Sequence, residues 1–201
     1  MKKNNVFLVA LLLTISTTLS FSQDENNPWQ FTFGVHAVDL DADTNTSFVD
    51  FFAVNENWNA SPGLSTFTLS KYIGDNISVG ITGSVNEISK FADDYEFIND
   101  VTYFALDAML KYDLSDLLSC QNMEPYLGLG LGNTNMNDTS WITSNASLGI
   151  TYWFSDFMGL TAQTDYKMNM DDNGRGNTAM LDEGGTMRYS LGLSIKFGEK
   201  E

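Results

Sequence analysis

Residues 69–85, LSKYIGDNISVGITGSV, form two alternating runs on either side of a short turn. Apolar residues recur at every second position, interrupted by Lys71, and small or polar residues lie between them. Successive side chains of a β-strand point to opposite faces, so this period predicts two strands, each with one apolar and one polar face. Gly, Asp and Asn at 74–76 suit a tight turn. The stretch therefore predicts an antiparallel hairpin.

The same pattern recurs along the chain from Trp29 onward. Each run is close to the roughly 9 to 11 residues that a tilted strand needs to cross a bilayer. Eight strands enclose an interior only wide enough for side chains, so we expect the face with small and charged residues inside and the apolar face outside. The sequence predicts an all-β fold, an eight-stranded antiparallel up-and-down transmembrane β-barrel. The predicted strands are 29–40, 64–73, 77–87, 102–113, 125–133, 141–154, 158–168 and 187–197.

Charged residues on the predicted inner face suggest an ion-paired network that fills the barrel. Buried charges persist when they are paired, so such a network is expected whatever the function. An open channel is the alternative, but the narrow interior favours a plug. The predicted network consists of Asp107, Lys111, Asp165, Lys167, Arg188 and Lys196.

Aromatic residues near strand ends predict a girdle at one membrane–water interface. Trp141, Tyr166 and Tyr189 are expected at the opposite rim. Lys71 is expected to face outward near a turn, where its ammonium reaches the headgroups. The predicted girdle consists of Trp29, Tyr72, Tyr112, Tyr126, Tyr152, Phe154 and Phe197.

The N-terminus has the features of a secretory signal peptide: two lysines, an apolar run of about ten residues and small residues before the cleavage site. We place cleavage after Ser22, which gives a signal peptide at 1–22, a barrel at 23–198 and a periplasmic tail at 199–201. The net charge of −16 argues against a nucleic-acid partner. The single cysteine, Cys120, excludes an internal disulfide.

The long connections at 41–63, 88–101, 134–140 and 169–186 are predicted to be outer loops, and 74–76, 114–124 and 155–157 periplasmic turns. The outer loops are acidic, which suggests divalent cations bridging them to lipopolysaccharide. Asp171, Asp172 and Asp182 are weak calcium candidates, although their spacing fits no complete calcium loop and a solvated turn is favoured. Loop aromatics either cap the barrel or bind a surface partner.

His36, the only histidine, alternates onto the inner face. A histidine can serve as a general base with Ser or Asp, but it lies here without an adjacent nucleophile motif. Packing is therefore favoured over catalysis.

Five segments together resemble the OmpA-like eight-stranded barrels of Gram-negative outer membranes: DENNPWQFTFGVHAVDL, LSKYIGDNISVGITGSV, PYLGLGLGN, YWFSDFMGLTAQTDYK and RYSLGLSIKFG. The resemblance covers residues 24–198. It implies location in the outer membrane, contact with its lipids, and recognition of the last strand by the barrel-insertion machinery through Phe197. Longer members continue into a peptidoglycan-binding domain, whereas here GEKE follows the barrel.

The sequence thus predicts a non-enzymatic barrel protein of the cell surface without a cofactor. The expected role is structural or adhesive, through acidic, aromatic outer loops with an unknown ligand. A small low-conductance porin is one alternative, and a lipid A-modifying enzyme is another.

Overall fold

The protein is a closed, all-antiparallel, eight-stranded β-barrel. The structure, a computed structural model, describes residues 23–42, 58–61, 63–92, 95–120, 122–136, 139–170 and 185–198. The strands are β1 (Trp29–Ala42), β2 (Asn59–Ala60), β3 (Thr66–Gly74), β4 (Ile77–Ala92), β5 (Tyr95–Asp113), β6 (Met123–Met136), β7 (Thr139–Trp153), β8 (Met158–Asn169) and β9 (Gly185–Phe197), and a single helical turn, α1 (Ser115–Leu118), follows β5.

The short strand β2 continues the second strand of the barrel. It pairs with β1 at Ala37 and Val38, beyond the point where β3 pairs with the same strand. The amide of Asn86 in β4 donates to the Asn59 carbonyl at 2.6 Å, which ties β2 to the next strand. The second barrel strand therefore consists of two pieces, one ending at Ala60 and one beginning at Thr66, and eight strands complete the circle.

The barrel closes between its first and last strands. Trp29 pairs with Phe197, and the register runs without a shift as far as Asp39 opposite Met187. The predicted barrel is thus closed by pairing of its last strand with its first. Closure leaves no unpaired strand edge in this part of the sheet.

The short connections and both ends of the barrel sequence lie at one end, here called the turn end; the opposite end is the loop end. In the turn after β3, Gly74, Asp75 and Asn76 all have positive φ, which explains this choice of residues. The hairpin of β4 and β5 extends to Ala92 and Tyr95. The predicted loop at 88–101 is therefore wrong for most of its length, because two bulges let pairing continue.

The outer wall is apolar, with charged side chains near the strand ends. The described charged residues with outward strand parity are Asp39, which is buried, together with Lys71, Glu87 and Asp100, which are exposed. Lys71 lies opposite Val79, so eight residues of β4 separate its level from that of Glu87. At about 3.3 Å per residue and a tilt of about 40°, this is a band roughly 20 Å high, close to the ~25 Å of membrane barrels. The exposed wall includes Phe67, Leu69, Val79, Ile81, Phe104, Leu106, Leu110, Leu127, Leu129, Leu131, Leu148, Leu160 and Leu191.

Several predictions concern residues that the structure does not describe. The signal peptide at 1–22 and the calcium candidates Asp171, Asp172 and Asp182 all lie outside the described ranges. Among the residues that are described, no helix is long and apolar enough to span a membrane.

Candidate functional site

The lumen has a layer of four buried charges at its centre, the charged layer. It consists of Asp107, Asp165, Lys167 and Arg188, each at most 2% exposed. Arg188 in β9 lies opposite Asp165 in β8, and its Nη2 is 2.8 Å from the Asp165 carboxylate. Its Nη1 is 2.8 Å from the Asp107 carboxylate in β5. Two anions and two cations thus form one neutral, connected cluster.

The oxygens of both carboxylates are satisfied by several donors. Asp107 accepts two hydrogen bonds from Lys167 Nζ, at 2.7 and 2.9 Å, and one from the Asn145 amide at 2.9 Å. Asp165 accepts from the Ser147 hydroxyl and, at 2.7 Å, from the Gln163 amide. Buried charges are tolerated only when they are paired and hydrogen-bonded in this way. Each charge of the charged layer has such partners within the lumen.

The ion pair between Arg188 and Asp107 crosses the whole lumen. Around the ring of eight strands, β5 and β9 are four strands apart in either direction, so they face each other. A cavity of about 20 Å³ lies on each side of this layer. Each has room for about one water molecule. Within the described residues, the lumen is therefore blocked at its centre.

The two other predicted network members lie closer to the turn end and are stacked on aromatic rings. Lys111 Nζ lies 4.5 Å from the centre of the Tyr126 ring, and Lys196 Nζ lies 5.0 Å from that of Trp153. A cation over an aromatic face is stabilised by the ring quadrupole. The predicted network therefore divides into one ion-paired cluster and two cation–π pairs.

Glycines in β6 make room for the charged layer. A Cβ added at Gly132 would overlap the Asp107 carboxylate and come within 3.0 Å of the Asn145 amide and Thr143 hydroxyl. By contrast, a Cβ at Gly83, in β4, would meet nothing within 4 Å. The run of alternating glycines in PYLGLGLGN thus has a steric role inside the barrel.

The loop end of the lumen is filled by an apolar layer that the sequence reasoning missed. Its buried members come from β1, β4, β5 and β6, and Val101 and Trp141 pack against them. The missed signal was the change of the inner row from polar to apolar after His36, where Val38 and Leu40 keep the inward period. The buried members are Val38, Leu40, Ile88, Tyr103, Ala105 and Met136.

The turn end of the lumen holds a third group that was also missed. Glu124 in β6 is buried and accepts a hydrogen bond from Trp153 Nε1 at 2.8 Å. Gln23, ahead of β1, is buried against them, and its backbone nitrogen donates to the Glu124 carboxylate at 3.1 Å. Glu124 directly precedes the predicted strand 125–133, and Trp153 alternates with the outward Tyr152 in the predicted strand 141–154. The period of two would therefore have indicated both as inward residues.

His36 contacts a buried serine. Its Nδ1 lies 2.8 Å from Ser65 Oγ, and its backbone N–H donates to the same oxygen at 3.1 Å. Ser65 stands where the second barrel strand is interrupted, so its hydroxyl replaces a strand partner for His36. The histidine is 2% exposed and the serine 4% exposed. Both side chains are thus enclosed between the barrel wall and the side chains that fill the lumen.

The structure corrects the aromatic assignments where they conflict with strand parity. Tyr126 is inside the barrel, 3% exposed, and donates to Gln163 at 2.6 Å, because it shares the inner row with Gly128. Tyr72 alternates with exposed Lys71 and is half-buried at the turn end. The other five predicted girdle residues, Trp29, Tyr112, Tyr152, Phe154 and Phe197, are exposed on the wall at the turn end.

At the loop end, the three predicted rim aromatics differ in position. Trp141 packs inward on the apolar layer. Tyr189 faces outward and stacks on Trp58 with ring centres 4.2 Å apart. Tyr166 also faces outward and covers Gly185. At the turn end, Lys71 is exposed as predicted and lies 5.1 Å from the Trp29 ring centre.

In the described parts of the chain, no group of three or more His, Cys, Asp or Glu side chains is arranged to hold a metal ion. The outer-loop carboxylates at 171–182 lie outside these parts.

The sequence matches no protein-family model and no curated protein sequence. Solved structures do match. Neisserial surface protein A shares 16% identity at a TM-score of 0.53, over 84% of this chain and 96% of that one. OprG from Pseudomonas aeruginosa shares 14% sequence identity at a TM-score of 0.55, and the match covers 87% of this chain and 98% of OprG. The N-terminal β-barrel domain of OprF from Pseudomonas aeruginosa shares 11% sequence identity at a TM-score of 0.50, and the match covers 87% of this chain and 100% of that domain. These structural neighbours are outer-membrane barrels, and the likeness shows that this chain has their fold.

Proposed function

We propose that the chain is an outer-membrane barrel protein without an open pore and without catalytic activity. Its role is structural or adhesive, carried by the acidic and aromatic loops that the barrel holds at the cell surface. The observation that carries the proposal is the ion pair between Arg188 and Asp107, which joins opposite strands across the lumen. A barrel with a sealed centre and an apolar wall is suited to anchoring loops in a membrane.

The membrane location rests on the outer wall and on its resemblance to the OmpA-like barrels. A soluble eight-stranded barrel would present polar side chains outward, whereas this wall exposes leucine, isoleucine and phenylalanine over a band roughly 20 Å high. We expect the expressed protein in the outer-membrane fraction, and unheated and heated samples to migrate differently in detergent gels. Equal migration would contradict a stable barrel.

Adhesion is tested by exchanging the first outer loop. Residues 43–57 carry Phe48, Phe51 and Phe52 together with several acidic residues. A Gly/Ser segment of equal length should abolish binding of expressing cells to a surface or matrix that the parent binds. Exchange of the turn at 155–157, at the opposite end, is the matched control and should leave binding intact. Unchanged binding after the loop exchange would leave only a structural role.

A small low-conductance porin is the second candidate. It is supported by the two cavities that flank the charged layer, since displacement of that layer would bring them together. We expect a closed trace from the purified barrel in planar bilayers at all voltages. Regular conductance steps would replace the first proposal with the second.

A lipid A-modifying enzyme is the third candidate, and the contact between His36 and Ser65 is what favours it. Burial of both residues argues against it, because a lipid substrate would have to reach the lumen. We expect no fluorophosphonate labelling of Ser65 and an unchanged lipid A composition in His36→Asn. Labelling that His36→Asn abolishes would support the enzyme.

A further inference from the structure

Gln23, the first residue of the predicted mature chain, lies inside the turn end of the barrel. It is 4% exposed. Its side-chain Nε2 donates to the Pro28 carbonyl at 2.6 Å, and its Oε1 accepts from the Ser78 hydroxyl of β4 at 3.2 Å. Its backbone nitrogen reaches Glu124 of β6. One residue thus contacts two strands that are separated by β5.

A local turn directs Gln23 back into the lumen. The Asp24 carboxylate accepts hydrogen bonds from the backbone N–H groups of Asn26 and Asn27, at 2.8 and 2.9 Å. Such side-chain capping stabilises a tight turn. The turn reverses the chain between Gln23 and the start of β1 at Trp29, so the residue before it points into the barrel mouth.

Glu124 is a buried carboxylate that forms no direct ion pair with a described residue, and the charges of Lys111 and Lys196 act on it only from a longer distance. It accepts from Trp153 Nε1 and from the Gln23 backbone nitrogen. The three direct ion pairs of the charged layer do not include it. A buried charge is costly unless an opposite charge accompanies it. The site therefore fits a cationic group at the position of the Gln23 nitrogen.

We propose that Glu124 binds the α-ammonium group of the mature chain. Signal peptidase hydrolyses the bond between Ser22 and Gln23 with one water molecule, which leaves a carboxylate on Ser22 and an amine on Gln23 that takes up a proton. The peptide N–H at 3.1 Å from Glu124 is thereby replaced by an ammonium with three donors. Removal of the signal peptide thereby places a positive charge within hydrogen-bond distance of Glu124.

The proposal rests on cleavage after Ser22 and is independent of what the outer loops do. The intact mass of the mature barrel tests this premise first. A chain that begins at Gln23 with a free amine supports the proposal. A chain that begins elsewhere overturns it, and so does a chain lighter by one ammonia, because cyclised Gln23 has no ammonium.

The reactivity of the N-terminal amine tests the ion pair itself. The folded mature barrel in detergent is treated with an acetylating N-hydroxysuccinimide ester at neutral pH, and acetylation of the N-terminal peptide is followed by mass spectrometry. Acylation requires the unprotonated amine, so a buried ion pair slows it. We expect a rate about tenfold lower than in Glu124→Gln, which keeps the shape of the side chain and removes its charge.

Glu25→Gln is the matched control, since Glu25 is an exposed carboxylate in the same segment. It should leave the rate unchanged, and all three proteins should react equally when unfolded. If Glu124→Gln does not fold, insertion of two alanines before Gln23 moves the amine out of the site and should raise the rate equally. Equal rates in the folded parent, the control and the available variant would overturn the proposal.

Discussion

Replacing Asp107 with asparagine removes one charge from the charged layer with almost no change in volume. The parent carboxylate accepts from Lys167, Arg188 and Asn145. In the variant, two buried cations share the remaining carboxylate of Asp165. Removal of one partner from a buried ion pair costs about 3 to 5 kcal/mol, because an uncompensated charge remains in a region that excludes water.

Urea unfolding of the barrel in detergent micelles measures this cost. With an m-value of about 2 kcal/mol/M, the loss lowers the urea midpoint by about 1.5 to 2.5 M. Tryptophan fluorescence and the mobility of unheated samples in gels report the transition independently. Asp75→Asn is the control, because Asp75 is exposed in the turn after β3 and its replacement should change stability by less than about 0.5 kcal/mol.

A second substitution separates charge from shape. Lys167→Met in the Asp107→Asn background removes the excess cation, so the double variant should recover about 0.5 to 3 kcal/mol relative to the sum of the two single losses. If Asp107→Asn unfolds at the same urea concentration as Asp75→Asn, the charged layer does not stabilise the barrel. That result would refute a lumen held closed by these charges.

Three further predictions follow from the packing of the barrel. Gly132→Ala should destabilise the barrel by about 1 to 3 kcal/mol through overpacking, whereas Gly83→Ala should be neutral within about 0.5 kcal/mol, both by urea unfolding. Tyr126→Phe should cost about 1 kcal/mol for its lost buried hydrogen bond, and Tyr112→Phe on the exposed wall less than half of that; equal losses would contradict the inward placement. Cys120, at the turn end, should react with an impermeant maleimide only when the periplasmic side is open, and labelling of intact cells would reverse the proposed orientation.

The period of two predicted the fold because each alternating run by itself identifies a strand and its two faces. The inner and outer rows of β4, β8 and β9 follow directly from the sequence. Ends of strands were predicted less well, since bulges extended the hairpin of β4 and β5 to Ala92 and Tyr95. A bulge changes the register by one residue without a strong compositional signal.

The errors among the aromatic residues share one physical cause. Tyr126 and Tyr72 were assigned to the girdle from their distance along the strand, without regard to the face on which they lie. In a strand, position along the chain gives the depth of a side chain in the membrane, and parity gives its face. Trp141 shows the same at the loop end, where its inward parity places it on the apolar layer.

Closure of the barrel decides which residues contact each other across the lumen. No local sequence pattern contains this information. Arg188 and Asp107 are 81 residues apart, and Gln23 and Glu124 are 101 residues apart. Each pair forms because the ring brings distant strands to face one another and the tilt of the strands sets their relative depth. The sequence identified Asp107 and Arg188 as inward charges, because parity suffices for that. The contact between Gln23 and Glu124 was missed, because Gln23 lies before β1 in a segment that has no strand period.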